Sequence, residues 1–120
     1  MSQFYLPLVA LRGLTVLPKM IIHFDLSREI SKKAVEKSLE DGQKIFLVAQ
    51  RQPKEDLPQK DGLYMMGTVA VVKQVTKLPN NIDRVMVEGI SRAKIVELYD
   101  NEGEYFSADL EDVEADYLEL

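Results

Sequence analysis

Short apolar stretches separated by turn residues run through most of the chain and predict β-strands rather than helices. The stretch at residues 45–49 is apolar without interruption, the pattern of a strand buried on both faces. Near the end of the chain, Phe106, Ala108 and Leu110 alternate with polar residues and should share one face. Strands are expected over residues 6–11, 21–26, 45–49, 63–76, 84–89, 92–99 and 104–110.

One segment has the period of an α-helix instead. Ser31 is the expected N-cap, and Gly42 stands where a left-handed residue commonly ends a helix. Four residues between them fall on one face of a 3.6-residue period and form a narrow apolar stripe, Ala34, Val35, Ser38 and Leu39. A helix of about three turns is marginal in isolation, so it should dock on the sheet.

Two glycines interrupt strand-like sequence, Gly67 and Gly89. A glycine inside a strand usually marks a bulge, a bend or a close approach of another backbone. Between them, Asn80 and Asn81 tolerate the positive φ that hairpin turns require. The pattern as a whole predicts a mainly β fold with one inserted α-helix, a partly closed antiparallel β-barrel of about six strands.

Composition and charge exclude several classes of protein. There is no cysteine, hence no disulfide framework or thiolate site. The net charge is −5, and residues 109–120 hold six acidic residues and no base, so no basic stripe for nucleic acid is expected. No apolar stretch is long enough for a membrane helix, and no signal peptide is recognisable, so we expect a cytoplasmic location without membrane contact.

Candidate chemistry is sparse along the chain. His23 is the single histidine, and no metal-ligand spacing, phosphate loop or nucleophile-elbow pattern surrounds it or any serine. We therefore expect no catalytic residue, no metal and no cofactor in this segment. The loop at residues 50–62 is charged and long for a compact domain, which is more typical of a mobile surface loop than of a site.

Apolar residues that need not be buried are the remaining indication of function. The segment at residues 17–22 is apolar around a proline, and adjacent strand residues such as Met65 and Met66 face opposite sides of a sheet. Methionine adapts to varied partners. The candidate contact residues for a protein partner are Leu17, Met20, Ile21, Ile22, Met65 and Met66.

Read in order, these segments resemble the amino-terminal domain of Lon, the ATP-dependent protease. The resemblance covers roughly residues 5–113. It is carried by LPLVALR at 6–12, LPKM at 17–20, REIS at 28–31, IFLVAQR at 45–51, DGLY at 61–64, GTVA at 67–70, KLP at 77–79 and VEGISRA at 87–93. The hairpin has Asn80-Asn81 where the family often has Asp-Gly, a change that turn chemistry permits.

The resemblance implies a PUA-like fold at residues 1–113, with 114–120 beginning a linker or helix toward further domains. It implies a parent protein with an ATP- and magnesium-dependent motor and a Ser–Lys protease domain, neither of which can be assigned to residues of this chain. In the family, the domain helps to hold unfolded or tagged protein substrates and contributes to assembly with neighbouring subunits of a homohexamer.

Three functions therefore remain open at this stage. The domain could engage substrates of a Lon-type protease that degrades misfolded and regulatory proteins. It could mainly order the ring of subunits, or it could be a stand-alone Lon-like binding protein. A nucleic-acid role, suggested by the wider PUA-like fold, conflicts with the acidic charge.

Overall fold

Six strands and one helix make up the part of the chain that the computed structural model describes, residues 3–11, 16–40, 42–49, 66–101 and 104–113. The expected loop at 50–62, Met65 and the acidic end at 114–120 lie outside these residues. The elements are β1 (Gln3–Leu11), β2 (Ile21–Leu26), α1 (Glu29–Glu40), β3 (Lys44–Ala49), β4 (Met66–Leu78), a short 3-10 turn (Pro79–Asn81), β5 (Ile82–Tyr99) and β6 (Phe106–Asp112).

The strands form one sheet that curls back on itself. Their order is β2-β5-β4-β3-β1-β6, and β5 also pairs with β6, so hydrogen-bonded pairings partly close a ring that leaves β2 outside. The predicted mainly β fold with one helix is confirmed, and the sheet forms a partial ring rather than a barrel. One pairing differs from the antiparallel expectation: β1 and β3 are parallel. A parallel pair needs a crossover connection, which here contains β2 and α1.

Residues 45–48 of β3 and residues 8–11 of β1 are buried on both faces, because the sheet separates two apolar clusters. In β3, Ile45 and Leu47 belong to the first cluster, which α1 covers through Ala34 and Val35. The alternate residues of β3 belong to the second cluster, which lies inside the partial ring. The expectation for residues 45–49 is confirmed, and Phe106, Ala108 and Leu110 of β6 share the second cluster as predicted.

Strand β5 is continuous over 18 residues, where the sequence predicted two shorter strands. The expected break at Gly89 is absent. The ladder with β4 instead shifts register between Val69 and Ala70, which pair with Ser91 and Gly89 and leave Ile90 without a directly opposite residue. Such a bulge bends a strand without ending it. One strand can therefore pair with β2 in its first half and with β6 in its second half.

The helix starts earlier than its sequence pattern indicates. Ser31 is not the N-cap, since α1 begins at Glu29 and Ser31 is buried inside it. Ile30 packs against the second cluster, and this tertiary contact extends the helix beyond the capping signal. Leu39, expected on the buried stripe, is 44% exposed. At the other end, Gly42 has a φ of 79° and Gln43 donates to the Ser38 carbonyl at 2.8 Å, which confirms the left-handed helix end.

The β4–β5 hairpin is held against the helix by a buried lysine. Asn80 and Asn81 have φ values of 66° and 63°, as turn chemistry predicts. Lys32 is 5% exposed, and its ammonium group donates to the carbonyl oxygen of Asn81. The same ammonium group lies 3.4 Å from the Glu29 carboxylate, which balances the buried charge.

Gly67 and Gly89 lie where another part of the chain comes too close for a side chain. A Cβ on Gly67 would stand 2.5 Å from the Leu47 carbonyl oxygen and 2.6 Å from the Phe46 ring. A Cβ on Gly89 would collide with the Leu17 carbonyl group. The predicted close approach is confirmed at both positions.

We expect Gly67→Ala and Gly89→Ala each to lower the free energy of unfolding by about 1–3 kcal/mol, because backbone atoms must shift to admit the methyl group. Urea denaturation followed by circular dichroism measures this change. The control is Gly42→Asn, since nothing lies within 4 Å of a Cβ there and asparagine tolerates the positive φ. Loss of stability in the control alone would contradict the steric explanation.

Candidate functional site

The segment at residues 16–20 forms a tight turn that sits on strand β5. Pro18 supplies the fixed φ of the second turn position, and Lys19 occupies the third with a φ of 71°. The Met20 amide donates to the Leu17 carbonyl at 3.1 Å, which closes the turn. Two further bonds of 2.9 Å join the turn to Gly89, whose amide donates to Met20 and whose carbonyl accepts from Lys19.

A second attachment fixes the start of the same turn. Thr68 of β4 is 1% exposed, and its hydroxyl donates to the Val16 carbonyl at 2.5 Å. The Val16 side chain is itself buried in the first cluster. The turn is thus held on β4 and β5 at once, which fixes the position of any side chain that it presents to solvent.

The structure divides the candidate contact residues into exposed and packed groups. Leu17 is 46% exposed, Ile21 67% and Met66 37%. Met20 and Ile22 are half-buried and pack against the first cluster. Met65 lies outside the described residues. A role in binding is therefore compatible mainly with the three exposed side chains, since the other two already support the core.

The exposed candidates do not form one continuous stripe. Ile22 and every second residue after it face the first cluster, so Ile21 points to the opposite face of β2. Met66 lies two residues before Thr68 on the same face of β4, about 7 Å along the strand from it. Leu17 directly follows Val16, whose carbonyl Thr68 binds, so Thr68 is the point of β4 that connects Met66 with the turn.

Sequence reasoning missed one member of this region. Ile90 follows Gly89 directly and is 47% exposed at the bulge. Its position beside a strand glycine was the only indication of this residue in the sequence. The exposure of the Ile90 side chain depends on the register shift, which the sequence does not show. We call Leu17, Met66 and Ile90 the Leu17 surface: three exposed apolar side chains, one on the turn and one on each of the two strands that hold it.

The face of β2 and β5 opposite the first cluster carries charged and polar residues beside Ile21 and Met86. Arg84 donates to Asp25 across the strands through Nε at 2.8 Å and through Nη2 at 3.2 Å. His23 lies in a shallow depression of about 180 Å³, whose other lining residues are Gln74, Thr76, Arg84 and Met86. Thr76 supplies the one hydroxyl of that set, and none of these lining residues is a carboxylate that could orient a histidine base.

Across the residues that the structure describes, no three His, Asp or Glu side chains gather as a metal site would require. No helix among these residues is long and apolar enough to cross a membrane.

A comparison with protein families decides the identity of this fold. Residues 5–120 match the family model described as the ATP-dependent protease La (LON) substrate-binding domain. The chain belongs to this family. The resemblance noted in the sequence is thereby confirmed.

Curated relatives agree with the family. The chain is 43% identical over 108 residues to a Lon protease of Clostridioides difficile, covering 90% of this chain and 14% of that protein. It is 47% identical over 106 residues to a Lon protease of Desulforamulus reducens, covering 88% of this chain and 13% of that protein. The chain thus spans only about an eighth to a seventh of the length of these relatives.

Solved structures support the fold independently. The N-terminal domain of the Mycobacterium avium complex Lon protease superposes with a TM-score of 0.75 at 17% identity, covering 92% of this chain and 55% of that one. A Lon N-terminal domain protein from Xanthomonas campestris gives a TM-score of 0.70 at 13% identity, over 92% of this chain and 60% of that one. The two structures share the Lon N-terminal fold with this chain.

We expect the Asp25–Arg84 pair to make the stability of β2 depend on pH. The hydrogen bond from Arg84, with its positive charge, holds the pKa of Asp25 below the ordinary value of 3.8. A lowered folded-state pKa adds stability above pH 3.8, and that contribution disappears as the pH falls through the lowered pKa.

The check compares wild type with Asp25→Asn by thermal unfolding between pH 7 and pH 2. The wild type should lose its advantage over the variant only below about pH 4, the ordinary range of an aspartate. A constant difference down to pH 2 would contradict the ion pair.

Proposed function

We propose that this domain holds exposed apolar segments of unfolded or tagged proteins and presents them to a Lon-type protease, without catalysing a reaction itself. The observation that carries the proposal is the Leu17 surface, in which Leu17 is exposed on a turn that Gly89 and Thr68 hold in place, and Met66 and Ile90 are exposed on the strands that hold it. A rigid apolar surface loses little conformational entropy when it binds. Membership in a substrate-binding family supports the same function.

The proposal includes a larger parent protein, since relatives of this chain are Lon proteases about seven times its length. The parent would hydrolyse ATP with magnesium and cleave with a Ser–Lys dyad, in domains beyond this chain. It would act in the cytoplasm as a homohexamer on misfolded and regulatory proteins. Several weak domains on one ring raise the local substrate concentration, so each domain can bind weakly.

The expected strength of binding follows from the exposed area. Each side chain of the Leu17 surface is about half exposed, so covering it contributes roughly 1 kcal/mol, about half of the value for a fully buried aliphatic side chain. Replacing two of them should weaken binding by about thirtyfold if their contributions add.

We expect the double variant Leu17→Ser, Ile90→Ser to bind a permanently unfolded protein, reduced and carboxymethylated lactalbumin, about thirtyfold more weakly than the wild-type chain. Fluorescence anisotropy of the labelled lactalbumin measures the affinity. Neither side chain lies in the buried clusters, so the melting temperature should change little.

The matched control is Leu39→Ser, because Leu39 is 44% exposed on α1, outside the Leu17 surface. It removes a leucine of nearly the same exposure as Leu17. Equal weakening by Leu39→Ser would mean that binding depends on general surface hydrophobicity. Unchanged affinity of the double variant would remove the Leu17 surface from the binding site.

A further inference from the structure

Strand β2 has a hydrogen-bonding edge without a partner among the described residues. It lies at the end of the strand order and pairs only with β5. The other end of the sheet is different, since β6 pairs with both β1 and β5. The pairing of β6 with β5 therefore leaves β2 as the strand with an unpaired edge. An unpaired edge can act as a template for another strand.

The backbone groups on that edge can be identified from the ladder. Gly89 bonds to the backbone of residues 19–20 through both its amide and its carbonyl. Hydrogen-bonded and non-hydrogen-bonded pairs alternate along an antiparallel ladder. The backbone amides and carbonyls of Ile22, Phe24 and Leu26 therefore point toward β5. The intervening residues Ile21, His23 and Asp25 direct their amides and carbonyls away from β5. Three donors and three acceptors thus point outward in the plane of the sheet.

A recess lies beside the same edge. Its volume is about 130 Å³, slightly below the roughly 150 Å³ of an engineered apolar cavity that holds benzene. The lining joins the edge strand to the end of β1 and is mixed in character: apolar Ala10, Leu11, Phe24 and Leu26 beside polar Asp25, Ser27 and Arg28. It is therefore large enough for one aliphatic side chain from a strand added to β2.

The usual protections of a sheet edge are weak on β2. The strand contains no proline, and its register with β5 has no bulge. Its outward carboxylate, Asp25, is held sideways by Arg84 of β5 at 2.8 Å. Ile21 at the start of the strand is 67% exposed. An approaching extended chain would thus meet an apolar residue and a paired charge.

We propose that an extended segment of an unfolded polypeptide adds to β2 as a further strand and places one aliphatic side chain in the recess. The inference rests on the proposed function and specifies how the polypeptide is held. Backbone hydrogen bonds are the same for every sequence, so this mode accepts many unfolded proteins, while the recess adds room for one side chain. The Leu17 surface would contact a neighbouring part of the same polypeptide.

Amide hydrogen exchange by NMR tests the mode directly, with the 120-residue chain and saturating carboxymethylated lactalbumin. Strand addition should slow exchange at Ile21, His23 and Asp25 by at least about tenfold. The amides of Ile22, Phe24 and Leu26 should change little, since they already bond to β5. This alternation distinguishes a new strand from contact through side chains alone.

A proline variant tests the same amide by affinity. Because the His23 amide points away from β5, His23→Pro removes an edge donor and leaves the ladder to β5 intact. His23→Ala removes the side chain and keeps the amide. We expect the proline variant to bind lactalbumin about tenfold more weakly than the alanine variant, with melting temperatures of both variants measured alongside.

The outcomes separate the two proposals. Binding without slower exchange at Ile21, His23 and Asp25 would overturn strand addition and leave the proposed function standing. Absence of binding would overturn the proposed function itself. Protection of these three amides in the free chain would also overturn strand addition. Protection that does not depend on protein concentration would mean that another segment of the same chain covers the edge. Protection that increases with concentration would mean that a second copy of the chain covers it. If His23→Pro fails to fold, the exchange pattern still decides.

Discussion

Burial of β1 and β3 on both faces is the constraint on which this structure depends. Successive residues of β3 alternate between two apolar clusters, so the two clusters lie on opposite faces of the same strand. Apolar burial is the dominant favourable contribution to folding, and here one pair of strands contributes to it twice. The paired parts of these two strands, residues 8–11 and 45–48, are enclosed as a result, and surfaces for partners lie outside them.

Two glycines, which have no side chain, allow close backbone contacts around these strands. Gly67 lets the Phe46 ring and the β3 backbone approach β4, which keeps the second cluster dense. Gly89 lets the turn at residues 17–20 lie directly on β5 and exchange two backbone hydrogen bonds with it. The exposed leucine on that turn is therefore placed by backbone contacts, which do not depend on the sequence of the turn beyond its proline and its one positive φ.

Much of the fold could be predicted from the sequence because local patterns agreed with the final packing. The uninterrupted apolar run of β3, the alternation in β6 and the asparagine turn all behaved as their patterns indicate. The helix start did not, since contact of Ile30 with the second cluster outweighed the capping preference of Ser31. Continuity of β5 was also missed, because a glycine beside a bulge and a glycine at a strand end look the same in sequence.

The candidate site was predictable only in part. The apolar segment at 17–22 could be recognised, but the alternation of β2 that buries Ile22 and exposes Ile21 requires knowing which face meets the first cluster. Ile90 depended on a register shift between two strands, which is a property of the pair rather than of either sequence.

The uninterrupted course of β5 has a consequence for how this domain can be altered by evolution or engineering. A loop between its two halves would offer a point for insertion, permutation or truncation, and none exists across Ile82–Tyr99. Its first half supplies Val85 and Val87 to one cluster and its second half supplies Ala93 and Ile95 to the other. A break in β5 would divide the support of both clusters, so insertions should be better tolerated in the turns between the described strands.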